Sequence, residues 1–146
     1  MDNDRHELRE IRGDSFTIRL LLDGQKYAID YYQREYKWKT KHIEELISDL
    51  SQKFFLDYQD SHEREMVERY GHYFLGSIII SRKDGKEFII DGQQRLTTLT
   101  LLLIYLHHLQ EGRDDEPTPV QNMIFSSKFS KKSFNLDVPE LSLIHI

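Results

Sequence analysis

"FIIDGQQRLTTLTLLLIYL", Phe88 to Leu106, changes its period in the middle. The apolar run Phe88–Ile90 reads as the end of a buried strand. From Gly92 to about Gln110, Leu96, Leu99, Leu102, Leu103 and Leu106 cover one helical side, and Leu101, Ile104 and Tyr105 cover much of the other. A helix apolar nearly all round belongs in the middle of a domain, and Gly112 is its stop. Between strand and helix stand Asp91, Gly92, Gln93, Gln94 and Arg95. Asp91 and Gln94 have the spacing of a capping box, in which each side chain satisfies a backbone N–H of the first turn. Capping accounts for neither Gly92 nor Arg95. A glycine at such a turn permits a positive φ or the close approach of another group. The first N–H groups of a helix attract anions, and an arginine fork suits phosphate oxygens. The stretch therefore reads both as a cap and as a phosphate site, although neither G-x-x-x-x-G-K-[ST] nor G-x-G-x-x-G occurs.

Working outward, "YFLGSIIISRKDGKEFIID" reads as a β-hairpin: a strand from Phe74 to Ser81, a turn at Asp84-Gly85 and a return strand from Lys86 to Ile90. Consecutive Ile78, Ile79 and Ile80 imply burial on both faces. In "SFTIRLLL", Ser15 to Leu22, the alternation of Phe16, Ile18 and Leu20 reads as another strand. Asp23-Gly24 then turns it into "YAID", a second hairpin. "TKHIEELISDLSQKFF" places Ile43, Leu46, Ile47, Leu50 and Phe54 on one helical face, with Thr40 as N-cap. The acidic stretch Asp57–Gly71 reads as an exposed helix, "GRDDEPTP" as a loop, and "SFNLD" as an ambiguous strand. Strands near residues 15–30, 74–81 and 86–91 are expected to share a sheet, with helices at 40–55 and 92–110 packed on it. That is a mixed α/β (α+β) fold.

The chain has 146 residues, 38% of them hydrophobic, enough for one packed domain or part of one. Its net charge of −5 lacks the basic excess of a protein that grips nucleic acid nonspecifically, so any DNA contact is expected to be local or indirect. It has no cysteine, which excludes disulfides, thiolate metal sites and a thiol nucleophile. "MDNDRHELRE" has no secretory character, and the apolar "LTTLTLLLIYLHHL" falls short of the roughly 20 residues a membrane span needs. A cytoplasmic protein without membrane contact is expected. No H-x-x-x-H, H-E-x-x-H or G-x-S-x-G is present, so neither a protein-made metal site nor a serine triad is expected. The closing "LSLIHI", Leu141–Ile146, back-translates to a sequence that resembles a sequencing-library transposon end. It is expected to be a scar on a domain of residues 1–140 that continues naturally past Glu140.

A second cluster precedes the amphipathic helix. "DYYQREYKW", Asp30 to Trp38, interleaves aromatics and cations. Arg34 suits a phosphate while Tyr36 or Trp38 stacks on a base. Alternatively, Trp38 and Tyr36 pack as a staple against the helix near Leu46.

Together, "YAIDYYQREYKWKTKHIEELISDL", "HYFLGSIII" and "FIIDGQQRLTTLTLLLIYL" resemble the N-terminal domain of GmrSD-type restriction endonucleases. The likeness covers roughly Phe16 to Tyr105, and "FNLDVPE" looks like a later part of the same domain. It implies a small ParB- and sulfiredoxin-like sheet with packed helices, here incomplete at its C-terminus. It also implies nucleotide binding and NTP hydrolysis with Mg²⁺, in phage-defence proteins that act on modified DNA, often beside an HNH-type nuclease domain or subunit. Asp91, Gly92, Gln93, Gln94 and Arg95 match the DGQQR signature, and Gln33 and Arg34 match a YQR block. Asp91, Gln93 and Gln94 are the implied catalytic set; Gly92, Arg95, Arg34 and Gln33 are the implied phosphate set. Glu35 stands where relatives often carry proline, which loosens the backbone and adds a carboxylate beside Arg34. Sulfiredoxin chemistry is excluded by the lack of cysteine. The expected function is a nucleotide-binding, NTP-hydrolysing module; the alternative is a non-hydrolysing nucleotide or DNA sensor that licenses a nuclease.

Overall fold

The computed structural model describes residues 11–29, 36–138 and 141. A four-stranded mixed sheet forms its centre, built from β1 (Tyr27–Ile29), β2 (Ile79–Lys83), β3 (Lys86–Asp91) and β6 (Leu136–Asp137) in the order β2-β3-β1-β6. β2 and β3 are antiparallel, and Asp84 and Gly85 between them have φ of 52° and 74°, the backbone of a tight hairpin turn. β1 runs parallel to β3, with Tyr27 opposite Glu87 and Ile29 opposite Ile89, and parallel to β6. Parallel neighbours require long crossovers. The helix α2 (Thr40–Asp57) lies within the β1–β3 connection and α3 (Gln93–Gln110) within the β3–β6 connection. The mixed α+β expectation holds.

Two short helices, α1 (Ile18–Leu22) and α4 (Gln121–Ile124), a 3-10 segment (Arg64–Arg69) and a separate hairpin of β4 (Phe125–Lys128) and β5 (Lys131–Phe134) complete the described elements. One apolar cluster joins them: Leu22, Tyr27, Ile29, Leu46, Ile89, Leu96, Leu99, Ile104, Met123, Ile124 and Leu136 are all buried. Leu141 is also fully buried in this cluster. Asn135 is a polar node inside it. Its amide donates to the carbonyls of Leu22 at 2.9 Å and Asn122 at 2.8 Å, and its Oδ1 accepts from Ser126 Oγ at 2.7 Å. Every polar atom of that side chain is used, which is the condition for burying an amide without penalty. No helix among the described residues is long and apolar enough to cross a membrane.

Several expectations are corrected. The expected strand and hairpin at Ser15–Ile29 are instead α1 followed by β1. Thr17 Oγ1 accepts from Leu20 N–H at 3.2 Å to start the helix. Ile18, Leu21 and Leu22 turn inward while Phe16 and Leu20 stay exposed, so the helical i, i+3, i+4 set wins over the alternation. Gly24 alone has positive φ in the Asp23-Gly24 pair, so no tight hairpin forms there. The expected strand from Phe74 starts only at Ile79, and its isoleucines are not buried on both faces: β2 is an edge strand with Ile79 52% and Ile80 38% exposed. The expected helix at Asp57–Gly71 is a 3-10 segment, Arg64–Arg69. The helix at 40–57 forms as read, but its N-cap is Lys39 rather than Thr40; the Lys39 N–H donates to His42 Nδ1 at 2.9 Å. "SFNLD" divides between β5 and β6 at the buried Asn135.

Candidate functional site

β3 delivers the chain to the site. Asp91 is its last residue and lies exposed; Gly92 follows as N-cap of α3 in the left-handed region, φ 92°. A Cβ there would collide with Ile78 Cδ1 and stand 3.3 Å from the Ser77 carbonyl oxygen. The turn therefore needs glycine twice over, for its backbone and for its neighbours.

No side chain caps this helix, which corrects the capping-box reading of Asp91 and Gln94. Gln94 turns aside instead: its Oε1 accepts from the N–H of Lys37 at 2.6 Å and of Trp38 at 3.2 Å. It ties the segment entering α2 to the first turn of α3. Tyr36 reinforces the tie, with its hydroxyl 2.8 Å from Thr98 Oγ1. Trp38 is half-buried against the core, its ring 5.7 Å from that of His42. The first intrahelical bond is Leu96 N–H to the Gly92 carbonyl, 3.0 Å, so the N–H groups of Gln93, Gln94 and Arg95 precede the helical ladder. Gln93 is half-buried beside them.

Arg95 is half-buried, and its position depends on a second glycine. A Cβ on Gly76, φ 102°, would stand 2.9 Å from Cζ, Nη1 and Nη2 of Arg95 alike, so the guanidinium presents its face to bare backbone. Nη1 donates to the Ser77 carbonyl at 3.3 Å. The loop carrying Gly76 is held in turn by acids of α2: Tyr73 Oη donates to Asp49 Oδ2 at 2.9 Å, and Gly71 N–H donates to Asp57 Oδ2 at 2.7 Å. The hydrogen bond to Asp49, with burial and the Asp49 charge, pushes the Tyr73 phenol up, while the positive charge of Arg95 pulls it down. Gly76, Tyr73 and Asp49 went unread in the sequence. A lone glycine inside the apolar "YFLGSIII" was the available sign of a close backbone approach.

The structure thus brings Asp91, Gly92, Gln93, Gln94 and Arg95 together with Tyr36 and Trp38 at one end of α3. Gln33 and Arg34 lie outside the described residues. A surface depression lined by Ser61, His62, Glu63, Glu65, Met66 and Arg69 includes none of the site residues. Among the described residues no group of three or more His, Cys, Asp or Glu is placed to hold a metal ion.

No curated protein matches the chain. Residues 18–143 match the family model described as the GmrSD restriction endonuclease, N-terminal domain. The match takes in the β1–α2 and β3–α3 junctions and nearly the whole chain. The chain therefore belongs to the family of GmrSD restriction endonuclease N-terminal domains, and is a component of a restriction, or phage-defence, system.

Proposed function

We propose that the chain is a nucleotide-binding, NTP-hydrolysing module of a modification-dependent DNA restriction system. The observation that supports this most is the seat of Arg95. A cation held face-on against Gly76, in the first turn of a helix whose leading N–H groups precede the ladder, is suited to the oxygens of a phosphate chain. Arg34 and Gln33 of the preceding block are the second phosphate contact in this reading, and Tyr36 and Trp38 the aromatic wall for the base.

The donor set fits a nucleotide carried with Mg²⁺. That ion takes one or two carboxylates together with phosphate oxygens and water, so a three-residue protein cage is not required. Asp91, exposed at the strand end, is the carboxylate available to it. When bound, Mg²⁺ supplies charge neutralisation to the phosphates. Asp91 is also the carboxylate that would position an attacking water in this reading. Of the two amides, Gln94 has its oxygen engaged by Lys37 and Trp38, which leaves Gln93 to orient that water. Phosphoryl transfer depends mainly on positioning and charge stabilisation, and these side chains supply both. Recognition of modified DNA and partnership with an HNH-type nuclease belong to the same reading. The test compares nucleotide binding and phosphate release by the full chain and by Arg95→Ala. Unchanged affinity and rate in the variant would overturn the assignment.

The engagement of Gln94 favours one other reading, a nucleotide-sensing switch without turnover. Binding without phosphate release separates it from hydrolysis.

A further inference from the structure

The acidic chain contains a sharply basic hairpin. The β4–β5 hairpin, residues 125–134, carries Lys128, Lys131 and Lys132 and no acid, against a chain charge of −5. Lys128 and Lys131 are directly opposed across the strands, a like-charge pairing that weakens a hairpin. All three lysines are exposed, and none makes an ion pair among the described residues. Lys26 joins them at the hairpin's base, donating to the carbonyls of Ser133 and Phe134 at 3.0 Å each, but it is balanced by nearby Asp137.

The turn between the strands is equally costly. Phe129 and Ser130 have φ of 50° and 63°, the two positive φ values of a turn that normally uses Asn-Gly. Phe129 is also 90% exposed, the least covered aromatic ring among the described large hydrophobics. A phenylalanine held at a hairpin tip in the left-handed region serves neither the turn nor the core. Lys128 Nζ lies 5.9 Å from its ring centroid, so cation and ring face outward together. Aromatic rings flanked by unpaired cations suit a strand of nucleic acid, whose phosphates take the lysines and whose bases stack on the ring.

We propose that the β4–β5 hairpin binds a single-stranded stretch of DNA, with Phe129 stacking on an unpaired base and Lys128, Lys131 and Lys132 contacting phosphates. The contact is separate from the Arg95 site. It is a local contact, the kind open to a chain without a basic excess. A lone unpaired base also matches what a stacking ring can reach from a hairpin tip, which an intact duplex does not offer.

The test is fluorescence anisotropy of the full chain with a short labelled oligothymidylate, a duplex of equal length and vesicles rich in phosphatidylserine. Melting curves serve as a folding control. Phe129→Ala is expected to weaken oligothymidylate binding about 5- to 100-fold. Replacing all three lysines by glutamine is expected to flatten the slope of log K against log salt by about 2. Nucleotide affinity is expected to stay unchanged in both variants, and Arg95→Ala to leave DNA binding unchanged. Folded variants that bind the oligonucleotide with wild-type affinity and salt slope would overturn the proposal. Two other results would also overturn it: duplex binding that is at least as tight and indifferent to Phe129, or binding to vesicles but not to oligonucleotide.

Discussion

Gly76→Ala tests the seat of Arg95 without touching Arg95. The added methyl would lie 2.9 Å from three guanidinium atoms, inside ordinary contact, and the guanidinium is the part free to move. The arginine is expected to swing away, giving up its bond to the Ser77 carbonyl and its seat against Gly76. A charge-assisted hydrogen bond is worth about 1.5–3 kcal/mol, so nucleotide affinity should fall about 10- to 100-fold. Independently, φ of 102° strains an L residue by about 1–2 kcal/mol, which should lower the unfolding free energy by that amount. The two effects separate in a double-mutant cycle. On an Arg95→Ala background, Gly76→Ala should still cost stability but add almost nothing to the loss of nucleotide affinity, because the group it displaces is gone. Calorimetric titration with ATP and GTP, beside urea melts, measures both. A folded Gly76→Ala protein with wild-type nucleotide affinity, or full additivity with Arg95→Ala, would refute the reasoning.

Three further outcomes are expected. Asn135→Leu should destabilise the fold by about 1–3 kcal/mol in urea melts, since the Leu22 and Asn122 carbonyls each lose one of two donors and Ser126 Oγ loses its acceptor. Thr100→Val should raise stability by about 1 kcal/mol in the same assay, because the Thr100 hydroxyl is fully buried with no hydrogen-bond partner among the described residues. The Tyr27 phenol is pushed from 10.0 up to about 12, first by burial and then by the charge of Glu87, while it donates to the Leu21 carbonyl at 2.6 Å. A raised folded pKa means the native state holds its proton longer. Tyr27's contribution is therefore complete below pH 10 and lost as pH rises through about 12; a wild-type stability curve lacking this fall relative to Tyr27→Phe would contradict it.

The strand-to-helix turn of the candidate site was more legible in the sequence than the sheet. Gly92 and Arg95 were readable because a glycine turn and a helix start are local, and their chemistry lies in residue type. α3 and the β2–β3 hairpin were readable for the same reason: a long apolar run and an Asp-Gly turn leave few alternatives. "SFTIRLLL" satisfies two periods at once, and the Thr17 cap together with packing against α4 favours the helix. Ile78 to Ile80 failed because hydrophobicity does not say where a strand sits in a sheet; β2 has a partner on one side only. The parallel place of β1 between β3 and β6 depends on crossovers spanning most of the chain, which no window contains. Gln94 hid its role because its partners are backbone N–H groups at Lys37 and Trp38, and every residue but proline offers that group.

The parallel register of β1 and β3 sets what the protein can tolerate as it diversifies. Both strands release the chain at the same edge of the sheet, so Lys37 and Trp38 meet Gln94 however long the excursion between them. Insertions in the 58–70 region should therefore be absorbed without moving Arg95, and lineages are free to elaborate there. A single residue lost between Gly24 and Tyr27 is another matter. It would slide β1 by one step, send Tyr27 and Ile29 to the opposite face, and pull Lys37 and Trp38 out of line with Gln94. Length is free in the excursion and fixed to the residue at the strand.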